Sequence, residues 1–212
     1  MSYAGYATSV MMTGTSTAMT DDAMKLVSGK TYKIVATAKR VWDRTQTITV
    51  KDNTVAVSAS NILSIDYLFG QVTFVSGYTV SGAITVSGKY LPMAAVAGSH
   101  AYTLNTAREL LDDTDHTSTG FHSRTAGLLD ASVSVTRWHS IADTGFHDII
   151  NTGTPVVVEV RPGGLTSDVA RGFFIAESDA MSGDVSALEA SELSFQLDGN
   201  SAADFGWGTH TT

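Results

Sequence analysis

The chain contains no cysteine, so disulfides, cysteine-ligated zinc and thiol catalysis are excluded at once. Proline is nearly absent, with three among 212 residues, and charged residues make up only 16% against about 25% in ordinary domains. Aromatic residues are equally sparse at 8%, too few for an aromatic sugar-binding platform. No apolar run approaches the ~20 residues that a membrane-spanning helix requires. The first residues, MSYAGYATSVMMTG, lack the basic start and apolar stretch of a signal peptide, so a soluble protein made in a cytoplasm is expected. Motif chemistry is also missing: there is no GxxxxGK[ST], HExxH or GxSxG. A chain of this length can still bury roughly 70% of its unfolded surface in one core.

What is present is an uneven charge distribution. Residues 1–100 carry eight basic and five acidic groups, a net of +3, and hold every lysine; residues 101–212 carry five basic and sixteen acidic groups, a net of −11. Phosphate binding needs basic clusters, so the acidic half argues against a nucleic-acid grip. It leaves open a surface that repels polyanions or simple solubilising charge.

Short alternating segments separated by Gly, Asn, Asp and Ser predict an antiparallel, mainly β protein. Strands are expected at 32–39, 46–50, 54–58, 71–75, 83–87, 131–138, 156–161, 172–177 and 193–197. In 131–138, Val133 and Val135 alternate with Ser132, Ser134 and Thr136; in 193–197, Leu193, Phe195 and Leu197 alternate with Ser194 and Gln196. Each predicts one buried and one hydrophilic face. One helix is expected over 139–151, with Asp143 or Thr144 as cap and Gly153 and Pro155 as stop. The tracts 13–20 and 113–123 are rich in Ser, Thr and Gly, and read either as loops or as segments ordered by neighbouring copies.

Candidate ligand sets are thin. None of the six histidines stands four residues from another, which favours solvated or interface roles over metal ligation. Asp112, Asp113 and Asp115 form the densest acidic cluster, an oxygen-rich loop that could hold Ca²⁺ or be solvated, without the EF-hand glycine and glutamate. No cofactor and no metal site is expected.

From LLDDTDHTSTGFHSRTAGLLDASVSVTRW to SFQLDGN, the second half resembles the major tail tube proteins of long-tailed bacteriophages. The likeness covers 110–200: a polar Asp-Thr loop, the turn at Gly127, Leu128 and Asp130, a strand, a helix, a strand pair, and the closing stretches at 182–185 and 194–199. In the first half, Arg40, Val41, Trp42 and Asp43, with Gly70, Val72 and Phe74, resemble the small β extension of some of these virion proteins.

The resemblance implies a tail-tube β-sandwich or half-barrel with one short flanking helix. Its parts would be an N-terminal arm or strand (1–23), a β extension (24–98), a tube core (99–200, helix near 141–151) and a C-terminal tail (201–212). It further implies sixfold rings stacked into a hollow tube in the virion, made in the bacterial cytoplasm, with no catalysis and no membrane. Partners would be a tape measure protein in the lumen, a tail terminator, and distal tail or baseplate proteins, and DNA would pass without specific binding. Ser132, Ser134, Thr136, Ser194 and Gln196 would face the bore. Asp112, Asp113, Asp115, His116, Phe121, His122 and Arg124 would reach neighbouring subunits, while Trp42, Asp43, Gly70, Gly127 and Asp130 would shape turns and the extension. A tail terminator, a head decoration protein, or a hydrolase with dispersed Asp and His residues remain the alternatives.

Overall fold

The computed structural model describes residues 9–114, 122–139, 144–162, 168–184, 188–199 and 204–209. The protein is mainly β, with one α-helix among the described residues. In chain order the strands are β1 (Ser9–Thr13), β2 (Thr17–Ser28), β3 (Thr31–Ile34), β4 (Thr49–Asp52), β5 (Val55–Ala56), β6 (Ile62–Asp66), β7 (Gln71–Phe74), β8 (Ile84–Tyr90) and β9 (Met93–Ala95). There follow β10 (Ser99–Asp112), β11 (Arg124–Trp138), helix α1 (Thr144–Thr152), β12 (Val156–Arg161), β13 (Asp168–Ser182), β14 (Ala190–Leu197) and β15 (Phe205–Thr209).

The chain forms two compact units, the first drawing on residues within 1–96, 157–172 and 201–212, the second on 97–156 and 173–200. One sheet has the order β5-β4-β8-β2-β3-β7-β6 and lies wholly in the first unit. The other has the order β10-β11-β14-β13-β12-β1-β9, with β15 also paired to β13. β13 belongs to both units: its start pairs with β15 in the first, and its remainder pairs with β14 in the second.

The seven-stranded sheet closes on a core of Met19, Met24, Ile34, Trp42, Ile48, Val50, Val72, Phe74, Ile84 and Val86. Each fully buried Val, Ile or Phe contributes roughly 1.5–3 kcal/mol through apolar area removed from water. Phe74 adds edge and tilted ring contacts to Tyr32 (5.5 Å) and Tyr78 (5.0 Å). At one end of this sheet, Asp52 is buried and its Oδ2 accepts from the Tyr78 hydroxyl (2.9 Å) and the Ser81 N–H (2.8 Å). Its Oδ1 accepts from the Gly82 N–H at 2.7 Å.

Several strands depart from the pattern expectations. Residues 32–39 are not one strand: β3 ends at Ile34 and Thr37–Lys39 makes a 3-10 turn. That turn lets the Trp42 indole N–H donate to the Lys39 carbonyl at 2.9 Å while the ring is fully buried. The strand expected at 46–50 starts only at Thr49, because Asp43 holds 43–46 in a turn by accepting from the Thr45 N–H and hydroxyl. The strand expected at 54–58 shrinks to Val55–Ala56, since Asn53 and Thr54 both take positive φ (48° and 76°) in the two-residue connection from β4.

Two long strands lie where alternation gave no signal. β2 begins inside the polar tract 13–20, so Thr17–Thr20 is strand rather than loop, ordered by pairing with β8 of the same chain. Asp21 at φ 49° marks a bulge between Met19 and Asp22, which turns both Met19 and Met24 inward although they are five residues apart. β10 is almost entirely exposed and offers no buried periodicity beyond its first residues. Helix α1 ends at Thr152, followed by Gly153 at φ 59° and then Pro155. The possible cap Asp143 falls outside the described residues.

Candidate assembly surface

The second unit is built on four antiparallel strands, β10, β11, β14 and β13, whose registers define two faces. On one face Val133 opposes Phe195 and Val135 opposes Leu193, and all four are buried. On the other Ser132 opposes Gln196, Ser134 opposes Ser194 and Thr136 opposes Glu192. β10 extends this hydrophilic face, with Asn105 opposite Ser132 and Thr103 opposite Ser134, and β13 extends it again with Ser178 opposite Ser194. The structure therefore brings Ser132, Ser134, Thr136, Ser194 and Gln196 together on one surface, where the first four are half-buried and Gln196 is exposed.

This face is neutral to acidic. Gln196 donates through Nε2 to Glu177 Oε2 at 2.8 Å, and Glu192 is exposed beside Ser194. The strand registers place Arg108 and Arg137 on the opposite face, the first opposite Leu129 and the second, fully buried, opposite Ser191. Among the described residues of β10, β11 and β14 and the second-unit part of β13 (173–182), no Lys or Arg stands on the hydrophilic face.

The β10–β11 hairpin carries exposed apolar side chains at Leu110, Leu111, Leu128 and Leu129; Leu128 is 80% exposed. Glu109 stands between the paired residues Arg108 and Leu110, where the register shifts to accommodate Gly127 and Leu128. A side chain at Gly127 would press on the Glu109 backbone and Cβ, at 3.2 and 3.0 Å. Asp130 accepts at Oδ1 from the Ala131 N–H at 2.8 Å.

At the outer end of the hairpin, Asp112 opposes Arg124 in the ladder. Asp112 accepts from the Thr114 N–H (3.0 Å) and hydroxyl, and its Oδ2 lies 3.1 Å from His122 Nδ1. The Thr125 hydroxyl donates to Asp113 at 2.7 Å. The Asp112 carboxyl sits below its ordinary range chiefly because of the Thr114 hydroxyl, and that of Asp113 because of the Ser123 and Thr125 hydroxyls. These oxygens are occupied in closing a turn, and among the described residues no group of three His, Asp or Glu side chains converges as a metal site. Asp115, His116 and Phe121 lie outside the described residues.

The remaining predicted positions, Trp42, Asp43 and Gly70, lie in the first unit. Gly70 has φ 61°, and a side chain there would meet the Arg40 carbonyl at 2.8 Å and Ile34 Cγ2 at 2.9 Å.

One group in the first unit escaped the sequence reading. Glu159, in the apolar run VVVEVR, is fully buried and takes the Nε–H of Arg161 on one oxygen and that of Arg171 on the other. Arg171 also donates through Nη1 to the Leu68 carbonyl (2.8 Å) and stands 5.0 Å from the Phe69 ring. The legible signal was an acid in the middle of an otherwise apolar strand, where a charge persists only if paired.

No protein-family model and no curated protein matches the chain. Among solved structures, it is similar to the tail of an empty gene transfer agent particle computed with helical refinement and C6 symmetry. The identity is 20% over 56% of this chain and 87% of that chain, with a TM-score of 0.48. It is similar also to the virion of a native gene transfer agent particle, at 21% identity over 55% of this chain and 89% of that chain, with a TM-score of 0.47.

Proposed function

We propose that the protein is a non-enzymatic structural subunit of a phage-like tail, whose copies form sixfold rings stacked into a hollow tube. The observation that carries this reading is the hydrophilic face of β10, β11, β14 and β13, a block of hydroxyls, amides and carboxylates interrupted only by Ala101, Ala180, Ile175 and similar uncharged side chains and backed by a buried apolar face. A wall meant to pass DNA must hydrate well without holding phosphate, and a surface free of Lys and Arg offers no ionic anchor. The resemblance over 110–200 to major tail tube proteins points the same way.

In this reading Ser132, Ser134, Thr136, Ser194 and Gln196 line the bore, and the outer strand β10 supplies an unpaired edge for the next subunit in the ring. Edge pairing satisfies backbone groups that would otherwise invite uncontrolled aggregation. Ring closure uses one heterologous contact, and stacking uses a second that does not close and so grows a filament. The exposed leucines of the β10–β11 hairpin, with Asp112, Asp113, His122 and Arg124 at its end, belong to these contacts. During assembly the lumen holds a tape measure protein; a terminator and distal tail proteins meet the tube's ends.

Negative-stain electron microscopy of the purified protein tests the proposal. Hollow filaments or sixfold rings are expected. A population of monomers that stays monodisperse at high concentration would refute the tube, and single rings that never stack would favour a terminator instead.

A further inference from the structure

Three adjacent strands of the first unit carry a lysine, a glutamine and an aspartate in one row. Lys33 of β3 opposes Gln71 of β7, and Gln71 in turn opposes Asp66 of β6. Directly paired residues share a face of the sheet, so all three side chains stand on the same side. Two strand spacings of about 4.8 Å separate Lys33 from Asp66, a gap that the four-carbon lysine stem can cross over Gln71. Lys33 is only 3% exposed, and Leu68 and Phe69, which follow Asp66, are buried as well.

The Asp66 carboxyl is held asymmetrically. Its Oδ1 accepts from the backbone N–H groups of both Leu68 and Phe69, each at 3.0 Å. Two backbone donors converging on one oxygen are the arrangement that steadies the oxyanion of a tetrahedral intermediate in acyl transfer. Arg171 lies near enough to attract the same carboxyl and to repel the Lys33 ammonium. Burial lowers that ammonium to about 8, with Arg40, Arg171 and Lys25 adding repulsion and Asp66 opposing them. Burial also raises the Asp66 carboxyl, against the Phe69 and Leu68 N–H bonds and the attraction of Arg171 and Lys33. Both directions favour the uncharged pair, an amine able to attack and a carboxylic acid able to be attacked.

We propose that Lys33 and Asp66 join in an isopeptide bond, made by the chain on itself, in which Lys33 Nζ takes the place of Asp66 Oδ2. Nζ attacks Cγ, and the charge that develops on Oδ1 meets the two N–H groups and Arg171. The intermediate collapses by breaking the bond from Cγ to Oδ2; the hydroxyl takes one proton from Nζ and departs as water. The amide that remains keeps one proton on its nitrogen and keeps the Leu68 and Phe69 bonds on its oxygen. Nothing else is consumed. Groups held in reacting geometry act at effective concentrations of up to roughly 10⁵–10⁸ M, which lets an amine and an acid condense without prior activation. Each molecule reacts once, so the bond suits a structural subunit: it ties β3 to β6 across β7 and closes residues 33–66 into a covalent loop.

Intact-mass spectrometry of the purified full chain, repeated after incubation at neutral pH, tests the bond. The mass should fall below that of the sequence by one water. Trypsin should then release a branched peptide joining residues 31–39 to residues 52–89, with the cut after Lys33 lost. Lys33→Arg keeps the positive charge but lacks the primary amine, and should retain its full mass. Asp66→Asn should give the same branched peptide with loss of ammonia in place of water. A parent chain of unchanged mass, a water loss that persists in Lys33→Arg, a branch point at another lysine, or an Asp66→Asn chain that still loses water would each overturn the proposal.

Discussion

The two units expose apolar side chains in different places: in the first they are spread over several elements, at Leu26, Val35, Val55, Leu63 and Trp207, and in the second four leucines gather on one hairpin. In the seven-stranded sheet Trp42, Ile34, Val72 and Phe74 are all but inaccessible, and polar groups such as Asp52 are tied to their own loops. In the four long strands of the second unit, Leu110, Leu111, Leu128, Leu129 and Met181 stay open to solvent. A core that closes within one chain stabilises a fold. An apolar strip left uncovered on a hydrogen-bonded hairpin has no such use in the isolated chain, and exposed apolar patches of this kind mark contact surfaces. The lesson is one of concentration: exposed apolar side chains dispersed singly need no partner, whereas a group of them on one hairpin is a candidate contact surface.

The sharpest way to break this contrast is Trp42→Ala, which should cost about 3–5 kcal/mol, as truncations of large buried aromatics do. Hydrogen exchange would show β2, β3, β7 and β8 losing protection while β11 and β14 keep theirs; uniform loss would show that the units unfold as one. A smaller effect, about 1–3 kcal/mol, is expected for Asp52→Asn, which loses acceptor capacity and sets an amide against a backbone donor. Burial pushes the Asp52 carboxyl upward, but hydrogen bonds from the Ser81 N–H, the Tyr78 hydroxyl and the Gly82 N–H outweigh it and hold the group below its ordinary value of 3.8. A lowered folded-state value means stability that is present above 3.8 and lost as pH falls through that lower value. The urea midpoint between pH 5 and pH 2 should therefore fall less steeply in Asp52→Asn than in the parent. Smallest of all for the isolated chain are Leu111→Ser and Leu128→Ser, within about 0.5 kcal/mol in urea denaturation. The same substitutions should sharply reduce filament or ring yield by light scattering; unchanged yield would mean that the exposed leucines are not contacts.

The contrast also explains what could be read from the residues. Val156–Arg161 was legible to the residue because every side chain in it is buried. The hydrophilic face of Ser132, Ser134 and Thr136 was legible because no bulge interrupts the pairing of 132–138 with β14. β10 was not, since a strand exposed on both faces leaves no period in its sequence. β2 was hidden by the bulge at Asp21, which breaks the alternation of its two buried methionines. The Glu159 group could be suspected from VVVEVR, but Arg171 joins it from another strand, and no local pattern announces a partner brought by topology.

The strand that serves both units, β13, has a consequence for timing. Val10 pairs with Val160, and Gly172 with Phe205, so the first unit cannot be completed by its early residues alone. Pairings across such separations make folding slow, because the intervening chain must be ordered before they form. On the ribosome the seven-stranded sheet can fold early, whereas β1 must wait for β12, and β13 for β15. A chain built this way completes its first unit only after Thr209 has emerged, and in the proposed tube that delay would hold a subunit back from its neighbours while it is still being made.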